Sequence, residues 1–261
     1  MESRFIACLP CLPQAGGKQG GIIFVVKQSP SPFTITDFMN LEKTEIWITT
    51  EKPLQLSDGR AIRGFFGNLY KNRPEFHGHK GDELVYKHPL IQYKVLSGSA
   101  LIVGLKEGAY LLKAIPRIEC LEIYFQRVFI SKQDTITHVL DFGATKDMSR
   151  YSFVTPWVGL NEQNYGKYIR FKRNPTEANA LINRILVGNL LSMSKSLGYV
   201  VKDRIRVISH LEEGQTIEAK KGVKFITFKG KFESNFVIPD LWGIGKFSSR
   251  GFGTIKSHNG V

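Results

Sequence analysis

Cysteine is scarce in this chain. Its three thiols, Cys8, Cys11 and Cys120, are few and odd in number. That excludes a disulfide-stapled scaffold and fits a reducing, cytoplasmic setting. Cys8 and Cys11 have the spacing of half a zinc or redox site, but no second CxxC accompanies them, and chance is the plainer reading. No run of 18 apolar residues occurs, so no helix is expected to span a bilayer. The short apolar run near the start is interrupted by Pro10 and Pro13, which argues against a secretory leader. Acidic residues are also short: 23 Asp+Glu face 36 Lys+Arg, for a net charge of +13. Such a field attracts a polyanion. Without a clear basic amphipathic helix, nucleic acid suits it better than a membrane surface. No carboxylate cluster suggests a two-metal phosphodiesterase, and no Walker A order is present.

What is there is ordinary for a folded protein: 42% hydrophobic and 23% charged residues over 261 positions, enough for one large core or two smaller ones. Residues 1–41 are rich in Gly, Pro and Ser outside the run Gly21–Lys27 and read as a poorly ordered extension. Thr44–Thr50 alternates as a strand does. Ala61–Tyr70 reads as a helix capped by Ser57 or Asp58 and closed by Pro74. Leu90–Val95 and Ala100–Gly104 form a hairpin, Glu107–Ile115 a helix ended by Pro116, and Leu121–Ile130 a strand. That order is β, α, β, β, α, β, the order of a ferredoxin-like (RRM-like) domain, over 42–148. Gln133–Arg150 reads as a polar connector. A second unit, 149–261, opens with a strand at Tyr151–Val158, followed by a long helix at Thr176–Leu197. Strands are then expected at Val200–Ile208, Thr216–Lys220, Lys224–Phe232 and Gly253–Ile255, with no clear second helix. The fold class expected is α+β, two tandem ferredoxin-like domains with the second degenerate.

Chemistry concentrates in Arg60–Gln92, RAIRGFFGNLYKNRPEFHGHKGDELVYKHPLIQ, which holds His77 and His79 with Tyr86 seven residues later. Arg63, Lys71, Arg73, Lys80 and Lys87 surround them with positive charge. RNA cleavage without a metal needs a base for the 2′-hydroxyl, an acid for the leaving 5′-oxygen and cations for the phosphorane. An imidazole near pKa 6.5 fills either proton-transfer role at neutral pH. An extended backbone would point His77 and His79 to one side. Two other readings stay open: a solvated polar loop, and a metal site from His77, His79, His88 and Asp82.

Near the other end, Trp242–Lys256 reads WGIGKFSSRGFGTIK. Gly243, Gly245, Gly251 and Gly253 could bring backbone N–H groups onto a phosphate beside Lys246, Ser249 and Arg250, or form an ordinary turn. Trp242 is equally readable as a base-stacking or a core residue. The same holds for Tyr165, Tyr168 and Phe171. The stripe Leu181–Met193 is packing, and His138, His210 and His258 have no companion pattern.

Together RGFFGNLYKNRPEFHGHKGDELVYKHPLIQYK and GIGKFSSRGFG resemble the CRISPR-associated precursor-RNA-processing endoribonucleases of the repeat-associated (RAMP) superfamily, nearest the branch with paired histidines. The resemblance covers about residues 42–256. It implies tandem ferredoxin-like domains and a hydrolase that cuts CRISPR repeat RNA without a metal or other cofactor, leaving a 5′-hydroxyl and a 2′,3′-cyclic phosphate. It places the catalytic roles on His79 first, with His77 and Tyr86 assisting. It places the glycine-rich loop, Gly243–Gly253, against RNA or between domains. The alternative it leaves is a subunit that holds guide RNA in an interference complex without cutting. A second copy of the chain or such a complex are the protein partners it allows, with no membrane. The first 40 residues depart from the family pattern.

Overall fold

The protein is described from a computed structural model, which covers residues 24–27, 38–77, 79–80, 83–84, 88–220 and 222–258; at 24–27, 77, 79–80, 83–84 and 219–220 only the backbone is described. In the first module the apolar run Phe24–Lys27 forms β1 and the alternating segment Met39–Thr50 forms β2. A 3-10 turn at Leu56–Asp58 leads into α1 (Gly59–Leu69). Three short elements follow: α2 (Pro74–His77), β3 (His79–Lys80) and β4 (Glu83–Leu84). The module then continues with β5 (Ile91–Leu96), β6 (Ser99–Leu105), α3 (Glu107–Lys113), β7 (Cys120–Ile123) and β8 (Gln126–Phe153). The strands lie in the order β5-β6-β2-β8, with β1 parallel on the outer edge of β8. With β2, β5, β6 and β8 as the four strands of β-α-β-β-α-β, this is the ferredoxin-like arrangement.

Period 2 explains how this sheet is buried. Ile46, Ile48, Tyr93, Val95, Ala100 and Ile102 face α1 and α3, where Ile62, Phe66 and Leu112 complete one core. Leu41, Leu101, Val103 and Leu105 point the other way, into a core shared with the second module. Both faces are covered, so β5 and β6 carry nearly continuous burial instead of alternation. Gln92 and Lys94 lie on the face turned to the second module and are fully buried.

The second module consists of the far half of β8, α4 (Glu162–Phe171), α5 (Pro175–Leu197), β9 (Val207–Glu213), the hairpin β10 (Ile217–Lys220) and β11 (Val223–Phe225), β12 (Phe228–Val237) and β13 (Ile255–Ser257). β8 pairs with β12 and β13, and β12 with β9. This is the same strand arrangement, but a 3-10 turn at Ser248–Arg250 stands where a second helix would be. α5 is closed at both ends by local contacts. The Asn174 side chain accepts from the Glu177 N–H, proline opens the first turn, and Gly198, with φ 72°, closes the last.

Four expectations need correction. Gln133–Arg150 is not a connector. It lies within β8, 28 residues long, which pairs with β2 as far as Phe142 and with β12 from Gly143 onward. The sequence hides this because the strand is central and its neighbours, not its own apolar content, cover it. At the handover Gly143 has φ +143°, and a Cβ there would lie 2.6 Å from the Tyr199 hydroxyl. That hydroxyl accepts from the Ala144 N–H. Leu121–Ile130 is a hairpin rather than one strand, with β7 pairing on β8. Val200–Ile208 becomes strand only from Val207. Pro74 opens α2 instead of closing α1.

The β7–β8 turn is chemically unusual. Tyr124 and Phe125 have φ of 50° and 64°, and Phe125 is 98% exposed. A left-handed conformation costs a non-glycine residue roughly 1–2 kcal/mol. Replacing Tyr124-Phe125 by Asn-Gly, the pair this turn favours, is expected to stabilise the protein by about 1–2 kcal/mol. Urea unfolding checks this; an unchanged midpoint would mean the turn carries no such strain.

Candidate functional site

The segment singled out by sequence is built on α1. Tyr70, at its end, stacks on Phe76 of α2 with ring centroids 4.5 Å apart. The Tyr93 hydroxyl on β5 donates to the Phe76 carbonyl at 3.1 Å. Thus α2 is fixed to the sheet one residue before His77. His77 closes a helical turn and His79 begins a strand that pairs with β4, His79 opposite Leu84. The extended geometry expected for the histidine pair therefore does not hold at the backbone. Tyr86 and Lys87 lie outside the described residues, as does Asp82. The side chains of His77, His79 and Lys80 are likewise not described.

Beside this segment the two modules contribute arginines. Arg63 on α1 acts on Tyr93, whose hydroxyl is raised by burial and drawn back by the Arg63 charge. Burial first, then the charges of Arg63 and Arg60, lowers the Arg250 guanidinium from its ordinary value. Burial likewise lowers Arg63. The approach is enforced by backbone contact: a Cβ on Gly59 would lie 2.7 Å from the Arg250 carbonyl oxygen. Arg250 also covers the Phe247 ring at 4.8 Å. Arg60, Arg63 and Arg250 thus form one cationic group across the module boundary, with Lys71 and Arg73 exposed beyond the end of α1.

The glycine-rich loop uses its backbone donors on the protein. Gly243 N–H donates to Gln92 Oε1 at 2.7 Å, Lys246 N–H to the Val158 carbonyl and Gly253 N–H to the Pro156 carbonyl. Arg250 and Gly251 N–H close the 3-10 turn. Gly253, at φ +64°, passes so close to Ile244 that a Cβ would overlap its carbonyl. These N–H groups do not form a phosphate cradle, because packing against β5 and Trp157 claims them. Lys246 and Arg250 side chains, with Ser249 partly exposed, are what the loop offers an anion. Trp242 is fully buried and is no stacking surface. Tyr168 is core, whereas Tyr165 is exposed.

Sequence reasoning missed the buried polar cluster under that loop. Trp242 Nε1 donates to His88 Nε2 at 2.7 Å, and Gln92 Nε2 approaches the same nitrogen at 3.3 Å. His88 N–H donates to Ser196 Oγ on α5. Gln92 also donates to the Gly243 carbonyl, and its Oε1 accepts from Lys94 Nζ at 2.6 Å. Lys43 and Glu45 pair at 2.7 Å on the same sheet face. An imidazole that accepts at Nε2 must hold its proton on Nδ1 and stay neutral. Burial, and then the Lys94 charge, pushes His88 down to about 3. Burial, then the Lys43 charge against the opposing Glu45, brings Lys94 down to about 7. With Nε2 taken, His88 has no place in the alternative metal set, and it serves instead to tie the end of the histidine segment to the second module. The polar residues Gln92 and Lys94 within the strand expected at Leu90–Val95 were the local sign of this cluster.

Trp242→Phe removes the donor and keeps the ring. The expected cost is about 1–2 kcal/mol, measured by urea unfolding. A neutral result would mean Gln92 alone satisfies His88.

Comparison with known proteins agrees with this architecture. The family model for the Cas6b N-terminal domain matches residues 39–138, and that for the Cas6b C-terminal domain matches 143–258. The gap between them falls where β8 exchanges partners. A crystal structure of Cas6b superposes with a TM-score of 0.77 at 34% identity, covering 84% of this chain and 100% of that one. A second, of the CRISPR RNA processing endoribonuclease Cas6b, gives 0.65 at 31% identity over 84% and 100%. A CRISPR-Cas type IV Cas6 crRNA endonuclease shares the fold at 15% identity, with a TM-score of 0.50 and coverage of 85% and 100%. An uncharacterized protein of Methanocaldococcus jannaschii is 42% identical over 115 residues, 44% of this chain and 76% of that protein. Matched in both modules, and over its core by solved structures, this chain belongs to the Cas6b family of Cas6 CRISPR RNA-processing endoribonucleases.

Proposed function

We propose that the protein cuts CRISPR precursor RNA within its repeats by metal-independent attack of a 2′-hydroxyl on the adjacent phosphorus. A base takes the 2′-hydroxyl proton, the 2′-oxygen bonds to phosphorus, and the bond to the 5′-oxygen breaks as an acid protonates it. The products are a 2′,3′-cyclic phosphate and a 5′-hydroxyl. His79 is the principal proton-transfer residue, assisted by His77 and Tyr86, roles that rest on the motif match. Arg63 and Arg250 oppose the charge that grows on the phosphorane, with Lys71, Arg73, Lys80, Lys87 and Lys246 along the strand.

The observation that carries this reading is the arginine group: two modules bring Arg60, Arg63 and Arg250 together beside the residue that precedes His77. Burial and then the charges of Arg63 and Arg60 lower Arg250, and like charges gathered this way favour an incoming anion. A cation aimed at developing charge is worth roughly 3–4 kcal/mol, by analogy with oxyanion-hole donors.

The test is incubation of labelled repeat RNA with excess protein in EDTA. Cleavage is expected there, and none when the nucleotide 5′ to the break carries 2′-deoxyribose. Cutting that depends on added Mg²⁺ or Mn²⁺ would overturn the mechanism. Tight binding without any cutting would favour a guide-RNA-holding subunit.

A further inference from the structure

A cavity of about 470 Å³ opens between α4, α5 and the glycine-rich loop, a size within the roughly 300–1,000 Å³ range of small-ligand sites. Three elements each bring one cation to it: Lys167 from α4, Arg184 from α5 and Lys246 from the loop. No Asp or Glu lines it, and among the described residues none of these three has an ion-pair partner. Like charges gathered without a counterion favour an incoming anion. Asn189 also lines the cavity, and its Oδ1 is taken by Trp157 Nε1 at 3.2 Å. Its amide nitrogen is therefore the end left to donate.

The floor is different in character. Leu181 and Ile185 are buried, and next to them α5 presents Gly188. Glycine disfavours a helix interior relative to alanine. Yet a Cβ on Gly188 would meet nothing within 4 Å. Packing of the fold does not require that glycine; its effect is to leave the floor bare and the cavity open. A flat apolar floor beside three cations suits a base joined to a phosphate. A sulfate-like ion alone would leave the floor unused.

We propose that this cavity seats one nucleotide of the RNA strand, its base on the Leu181–Gly188 floor and its phosphate against Lys167, Arg184 and Lys246. The proposal rests on the RNA-processing reading and adds a subsite to it. His88, two residues after Tyr86, forms part of the same wall, so a nucleotide held here lies next to the end of the histidine segment.

The test compares wild type with Gly188→Phe, which fills the cavity from an uncrowded position, and with Arg184→Ala, a surface change that leaves packing intact. Labelled repeat RNA with 2′-deoxyribose at the cleavage position serves as the binding probe. Gly188→Phe is expected to raise Kd about tenfold, the scale of one stacked base. Arg184→Ala is expected to lower the slope of log K against log salt by about one. A scan of single abasic nucleotides through the repeat should find one position that weakens wild type about tenfold and Gly188→Phe hardly at all. Wild-type Kd and salt slope in both variants, with cleavage intact, would overturn the subsite while leaving the nuclease reading in place. If the wild type neither bound nor cut repeat RNA, that reading would fail and the subsite with it. Adenosine 5′-monophosphate distinguishes the remaining source. Micromolar binding abolished by Gly188→Phe, with RNA affinity unchanged, would mean a free nucleotide is the ligand and would overturn the RNA assignment.

Discussion

His79→Ala is expected to slow single-turnover cleavage of repeat RNA by about 10²–10⁴-fold, the span that general acid–base groups contribute. Affinity for a 2′-deoxy probe should change less than about threefold, because on the proposed assignment removing the imidazole takes away a proton path and leaves the phosphate contacts proposed for Arg63 and Arg250 in place. The two readouts must be taken together, with protein in excess over RNA so that the rate reports chemistry instead of product release. A normal rate at saturation with weakened binding would move His79 from catalysis to RNA contact. His77→Ala should give a smaller loss of the same kind, since it is assigned an assisting role.

Gln92→Leu is expected to destabilise the protein by about 3–5 kcal/mol without touching the RNA surface. Gln92 is the hub of the buried cluster: it serves Lys94 Nζ, the N–H and carbonyl of Gly243, and His88. Leucine fits the volume but leaves Lys94 Nζ and the N–H and carbonyl of Gly243 short in a buried interior, where each unsatisfied group costs roughly 1–3 kcal/mol, while His88 keeps its bond from Trp242. Adding Lys94→Met should recover part of the loss, because the amine that most needs a partner is then gone. Strict additivity of the two changes would mean Gln92 and Lys94 are not coupled.

The same lysine gives a pH signature. In the folded protein Lys94 titrates near 7, against 10.5 for an unhindered lysine. Between those values the unfolded chain holds a proton the folded one lacks, so stability rises with pH from about 7 toward 10, by roughly 1 kcal/mol per unit at the steepest. Below 7 both states are protonated and the group contributes no slope. Lys94→Met should flatten this window. His88 acts lower, at about 3 when folded, so its contribution is lost as pH falls from 6.5 toward that value. Lys94 faces Lys43 and Glu45, and His88 faces Lys94; urea unfolding over pH 4–10 separates the two windows.

Features written in short stretches of sequence were legible. The alternation in TEIWITT and the apolar stripe Leu181–Met193 are local patterns, and both elements appear where expected. The missing second helix of the second module was visible as a stretch with no helical period. Features settled by distant chain were not. β8 is polar along much of its length and becomes a strand because β2 and β12 flank it. Gln92 and Lys94 look like a solvated face until a second module lies on them. α4 was readable and passed over: Asn161 caps it, and Tyr165, Tyr168 and Phe171 recur every third residue. At the site, the histidine motif and the basic residues could be named from sequence. The convergence of Arg60, Arg63 and Arg250 could not, since it depends on a loop nearly 190 residues away in the chain.

The shared strand has a mechanical meaning. The 28 residues of β8 are a member of both sheets and join them as one beam. Where it changes partners, at a glycine pressed by a tyrosine ring, its register with β12 shifts: Ala144 opposes Phe236 and Ser149 opposes Ser234. A continuous backbone thus ties the halves together, and a swing of one against the other would have to bend at that irregular step. On the proposed reading, RNA is laid along two halves held by one shared strand, and what yielding it needs comes from that step and from short surface segments.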